Sequence, residues 1–150
     1  MISKDFLLFS LVCLLILNLI SCNNPSHPED HVTNWDHHDL KTRQYLIPGR
    51  NLYKIHCANC HMDDGKGLVR LIPPLAQSDY MLSNVERTIC IIKYGMSGEI
   101  VVNNQVFNHP MPGNINLTDI EIAEISTYIY NAWGHSHGII TIPEVRKAIN

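Results

Sequence analysis

Residues 55–67 read IHCANCHMDDGKG, and Cys57, Cys60 and His61 fall within five consecutive positions of that stretch. Three chemistries fit such a cluster: half of a metal finger, a redox dithiol, or a covalent attachment point for a cofactor. The five residues alone leave all three open. The rest of the chain decides among them.

At 150 residues the chain has room for one domain rather than two. Its 45% hydrophobic and 17% charged content reads as globular. A net charge of −3 argues against nucleic-acid binding, which calls for a basic stripe.

The first 21 residues stand apart. Lys4 supplies a positive charge, offset by Asp5, and Phe6 to Ile20 form an apolar run. That run is shorter than the roughly 20 residues of a membrane span, so it reads as a signal peptide over residues 1–21. It ends in Leu19-Ile20-Ser21-Cys22, which resembles the lipobox of bacterial lipoproteins. The resemblance implies that Cys22 becomes a lipidated N-terminus, although Ile20 departs from the small residue usual there. An uncleaved signal anchor is the alternative. Either way the expected location is outside the cytoplasm, facing the periplasm and tethered to a bacterial membrane. Removing residues 1–21 takes away Lys4 and Asp5, so the charge is unchanged.

Export alters the cysteine arithmetic. Cys13 leaves with the signal and Cys22 carries lipid, so Cys57, Cys60 and Cys90 remain. An odd number in an oxidising compartment argues against a simple disulfide framework. Cys90 reads as a small apolar residue on a helix.

Residues 22–47 are polar, with His27, His31, His37 and His38, and read as a linker. The folded domain is expected over 48–134, its first helix starting at Pro48, where a missing N–H costs nothing. Residues 62–78, with Gly65, Gly67, Pro73 and Pro74, read as loop. A second helix is signalled by a Ser83/Glu86 capping box and closed by Gly95. Ile100, Val102 and Val106 suggest a hairpin around Asn103-Asn104. A third helix begins at the Thr118/Glu121 capping box, carries Ile122, Ile125, Ile129 and Trp133, and is expected to end at Gly134. Residues 135–150 form a tail, with a possible short helix from Glu144 to Ile149. The His135/His137 pair reads as a surface turn.

The cluster itself has the C-x-x-C-H spacing of c-type haem attachment. Two thiols three positions apart, on about one helical turn, can reach two vinyl groups along one porphyrin edge. The next residue then lies beneath the iron, and His61 can coordinate it. A zinc site needs four ligands, and only Cys90 or a stray histidine could complete one. A thioredoxin-like dithiol wants a strand before the motif, and a helix precedes it here.

From Pro48 to Trp133 the chain resembles the small single-haem cytochrome c family. Gly49 and Tyr53 match its small and aromatic helix-contact positions, with Tyr128 the matching aromatic on the third helix. Pro73 follows His61 by twelve residues. The resemblance implies that its carbonyl accepts the other N–H of the haem histidine, and that Leu75 lines the haem. It also places the distal iron ligand at Met111, between Pro110 and Pro112. His109 is the runner-up and Met96 the third choice.

The resemblance thus implies an all-α cytochrome c fold, three main helices around one covalent haem c, with His61 and Met111 on the iron. A six-coordinate iron leaves no open position, which points to electron transfer rather than catalysis. The implied partners are redox proteins: a terminal oxidase, a quinol-oxidising complex or a periplasmic reductase. The alternative is a haem enzyme or gas sensor with a labile sixth position. Without haem the domain is not expected to fold.

Overall fold

A computed structural model describes residues 35–150; the expected signal peptide, Cys22 and residues 23–34 of the expected linker lie outside the described residues. After a 3-10 turn at Trp35–His37, six α-helices follow: α1 Leu40–His56, α2 Ala58–His61, α3 Asp79–Leu82, α4 Val85–Tyr94, α5 Asp119–Ile129 and α6 Ile142–Ile149. Four short strands lie between α4 and α5: β1 Gly95–Met96, β2 Ile100–Val102, β3 Gln105–Phe107 and β4 Met111–Pro112. They pair as two antiparallel ladders, β1 with β4 and β2 with β3. The fold is the expected all-α class, with α1, α4 and α5 its longest helices.

Helix α1 starts eight residues before Pro48, so the linker expected to run to residue 47 is shorter. Asp39 caps the helix, accepting from the Thr42 amide at 3.1 Å and its hydroxyl at 2.6 Å. Pro48 lies inside the helix. An interior proline costs about 3 kcal/mol. Burial of Thr42 and Leu46 in the added turns opposes that cost.

The packing that organises the molecule is α1 against α5. At Gly49 the backbones touch: a Cβ there would lie 2.0 Å from the Glu124 carbonyl oxygen and 3.0 Å from Tyr128 Cβ. One turn on, the Tyr53 and Tyr128 rings meet at 5.3 Å between centroids. Both residues sit where the sequence placed them.

Helix α4 is capped one residue later than expected. Asn84, not Ser83, accepts from the Arg87 amide at 2.8 Å. Ser83 instead ends α3, its N–H donating to the Asp79 carbonyl. Gly95 closes α4 at φ +78°, as read. The hairpin is also as read, with Asn103 and Asn104 at φ 49° and 62°, the left-handed pair a tight two-residue turn needs.

Helix α5 begins at the Thr118/Glu121 capping box but stops at Ile129, short of Gly134. The Asn131 side chain ends it by donating to the Thr127 carbonyl at 2.7 Å, a group that a continuing helix would bond through backbone. Trp133 then turns back at φ 53°.

The expected tail belongs to the domain. Thr141 and Glu144 form a capping box that starts α6, two residues before the expected start. Ile140 and Val145 are fully buried. The Cys90 thiol donates to the Ala148 carbonyl at 3.0 Å, and the Tyr94 hydroxyl to that of Ile149 at 2.8 Å. An amphipathic helix with one apolar stripe must bury it, and here the stripe covers α4 and α5.

Candidate functional site

Helix α1 breaks at Cys57, whose φ of −124° and ψ of −37° make it both the last cap of α1 and the first cap of α2. Helix α2 is one turn long and carries Cys60 and His61. The His61 and Cys60 amides both donate to the Cys57 carbonyl, at 2.9 and 3.1 Å. The motif thus sits on a helical turn. Cys57 is half-buried, Cys60 exposed, and both thiols are free.

His61 is buried, with 6% of its surface exposed. Its Nδ1 lies 3.1 Å from the Pro73 carbonyl oxygen. A carbonyl only accepts, so Nδ1 carries the proton and Nε2 keeps its lone pair. Burial lowers the pKa of His61, against the opposing effect of the Pro73 bond. The imidazole is therefore neutral at neutral pH, the form that ligates metals. Burial, reinforced by the neighbouring Cys60, pushes the Cys57 thiol up to about 12.

The loop after the motif holds Pro73 in place. The Gly67 amide donates to the His61 carbonyl at 3.0 Å, and the Leu75 and Ala76 amides donate to the Gly65 carbonyl at 2.8 and 2.9 Å. A side chain at Gly67, where φ is +65°, would strike the Ile72 carbonyl at 2.3 Å. Trp133 covers Gly65, and its indole N–H donates to the Asp63 carbonyl at 3.3 Å. The Asp64–Lys66 ion pair stands in solvent.

Two adjoining hollows open from His61. The first is lined by Cys57, Leu75 and Met111 among others, with Ile91 from α4 and Ile125 and Ile129 from α5. The second is lined by Cys60, His109, Pro110 and Phe107 among others. His61, Pro73, Met96, Ile100 and Met111 line both. Sites for small molecules and cofactors are mostly apolar. These hollows suit a flat apolar group anchored at its rim by two thiols, with a bare imidazole nitrogen on one side. Among the described residues no three or more His, Cys, Asp and Glu side chains gather as ligands for a bare metal ion.

Every expected residue inside the described range lines a hollow: Cys57, Cys60, His61, Pro73, Leu75 and Met111. Sequence reasoning missed the hollow's floor. Ile125 and Ile129, four apart on α5, were legible only as generic core. Met96, the third choice as iron ligand, lines both hollows, but no local signal tied it to Met111 as its partner across a strand pair.

Residues 46–133 match the cytochrome c family. Cytochrome c-552 of Thermus thermophilus is 32% identical over 108 residues, spanning 66% of this chain and 82% of that protein. The cytochrome c subunit of the quinone alcohol dehydrogenase of Komagataeibacter europaeus is 31% identical over 105 residues, 67% of this chain but 22% of the subunit. The corresponding subunit of Gluconobacter oxydans is 29% identical over 103 residues, 66% of this chain and 21% of that subunit.

Proposed function

We propose a function from one premise: this chain belongs to the cytochrome c family, whose members carry covalent haem c and transfer electrons. On that premise it is an exported, membrane-tethered carrier of single electrons between respiratory redox partners. Cys57 and Cys60 would anchor the haem as thioethers. His61, oriented by Pro73, would hold the iron, and Leu75 would pack on the macrocycle. Met111 would hold the iron through its sulfur. The observation that carries this reading is the His61–Pro73 hydrogen bond beside two free cysteines, on the wall of apolar hollows shared with Met111.

Bound haem supplies one-electron exchange at iron, at a potential raised by a thioether ligand. The protein's own part is positional. His61 keeps Nδ1–H on Pro73 and presents Nε2 in fixed orientation. The isoleucines of α4 and α5 exclude water, which keeps the site apolar.

Lipid on Cys22 would hold the domain at a membrane surface facing the periplasm. There a tether raises the effective concentration near membrane-bound partners without demanding high affinity. A terminal oxidase, a quinol-oxidising complex or a periplasmic reductase fits the role. The likeness to dehydrogenase subunits supports docking to a larger oxidoreductase as well. Such encounters are small and transient.

Mass spectrometry of the purified exported chain tests the core of this reading. The expected mass includes one haem and, at Cys22, lipid. A chain without covalent haem would overturn the function; a chain with haem but no lipid would overturn only the tether. Oxidised protein should show the weak long-wavelength band of thioether-bound ferric iron. Its absence, with fast carbon monoxide binding on reduction, would mean an open sixth position.

A further inference from the structure

Met96 stands directly opposite Met111 in the β1–β4 ladder, next to the Gly95–Pro112 pair. Opposed residues of an antiparallel pair send their side chains to the same side, with Cβ atoms about 4.5–5.5 Å apart. Two thioethers therefore leave this ladder together. Both line the two hollows that His61 also lines, and both are half-buried.

The ladder cannot easily slide or spread. A Cβ at Gly95 would lie 2.5 Å from both the Met111 oxygen and the Gly113 nitrogen. One at Gly113 would lie 2.3 Å from the Tyr94 carbonyl carbon. The two backbones thus touch beside the methionine pair. The Asn114 amide adds a bond to the Ile92 carbonyl at 3.0 Å. Prolines 110 and 112 fix φ on either side of Met111.

Other donors are placed less well. Met62 is 41% exposed and follows His61 directly. Met81 is buried in α3 and lines only the first hollow. His109 lines only the second and is exposed to water. Met96 alone shares the strand pair, the side and both hollows with Met111.

We propose that Met96 is the reserve sixth ligand of the iron. When the Met111 sulfur is missing, a bond from iron to the Met96 sulfur takes the place of the bond to Met111. One neutral thioether replaces another, so charge and oxidation state are unchanged. Methionine's three rotatable bonds let its sulfur cover the short distance between adjacent cross-strand positions. The inference rests on the haem reading of the site given above.

The test uses the haem-loaded full chain as wild type, Met111→Ala and Met111→Ala/Met96→Leu. Ferric absorbance, carbon monoxide binding to reduced protein, and the ferrous NMR signal of the iron-bound methionine methyl are read in each. Met111→Ala should keep the thioether band and slow carbon monoxide binding, while its methyl signal moves. The double variant should lose the band and bind carbon monoxide rapidly. Loss of the band in Met111→Ala, with or without a bis-histidine spectrum from His109, overturns the proposal but not the wild-type ligation. Survival of the band in the double variant overturns it in favour of Met81. An unmoved methyl signal in Met111→Ala makes Met96 the resident ligand, which overturns the reserve role. A wild type without covalent haem or without the band overturns the underlying site reading instead.

Discussion

Replacing Gly49 with alanine should loosen the contact on which the fold is built. The new Cβ would lie 2.0 Å from the Glu124 carbonyl oxygen and 2.6 Å from its carbon. Carbon and carbonyl oxygen meet no closer than about 3.3 Å, so α1 and α5 must part by about 1.3 Å. The obstacle is backbone, and no rotamer change relieves it. Overpacking of this kind costs about 3 kcal/mol, the upper end of the usual range. Alanine regains about 1 kcal/mol of helix propensity over glycine. The net loss is about 2 kcal/mol. Urea unfolding of the haem-loaded protein, followed by far-ultraviolet circular dichroism, reads it directly. With a slope of about 2 kcal/mol/M, the midpoint should fall by about 1 M. Asn51→Ala lies on the exposed face of the same helix and should leave the midpoint level or slightly raised. A Gly49→Ala midpoint equal to wild type would refute the close-contact reasoning, because propensity alone predicts a rise.

Other expectations follow from the same geometry. The Cys57→Ser/Cys60→Ser variant should carry no covalent haem and lose its near-ultraviolet circular dichroism and cooperative unfolding, since the hollows are then unfilled; a cooperative, native-like apo form would contradict this. Trp133→Leu should speed amide exchange at Leu75 and Ala76, whose bonds to Gly65 the indole covers, and unchanged exchange would remove Trp133 from that role. Glu121 and Glu144 have lowered carboxyl pKa values because they accept from the Thr118 and Thr141 backbone and hydroxyl groups. Their contribution is complete above the unfolded value of about 4.3 and is lost as pH falls through the lower folded value. Glu144→Gln should therefore flatten the acid limb of the stability profile, and an unaltered limb would show that the box does not titrate with folding. Removing the exposed Lys147–Glu86 pair should leave the melting temperature unchanged.

Features set by short-range spacing were legible before the structure. The Cys57-x-x-Cys60-His61 turn, the Thr118/Glu121 box and the Asn103-Asn104 turn each depend on residues within a few positions. Pro73, Gly49 and Tyr128 were placed by family likeness, and their contacts agree. What failed were rules that tertiary packing overrides. Pro48 looked like a helix start because local energetics favour that position, yet burial of Leu46 carries α1 through it. Ser83 and Asn84 are equally good caps, and the choice fell to the neighbouring α3. Trp133 continued a helical period that Asn131 ended with its side chain. His135 does sit at a turn, but its long-range bond was not legible: its Nε2 accepts from the Gln77 amide at 3.0 Å, and its Nδ1 lies 3.1 Å from the Ile129 carbonyl. The Met96–Met111 pairing joins residues fifteen positions apart, with no local pattern to link them.

The state of Cys57 orders events in time. In the folded chain without haem its half-buried thiol is pushed up to about 12, and a protonated thiol is a poor nucleophile. Helix α6, which packs on α4 through Ala148 and Ile149, follows the cysteines by some eighty residues. There is thus an interval in which the motif exists and the complete fold does not. Haem that arrived in that interval would meet the Cys57 thiol in water, where its pKa is the ordinary one of about 8.5 and more of it is thiolate.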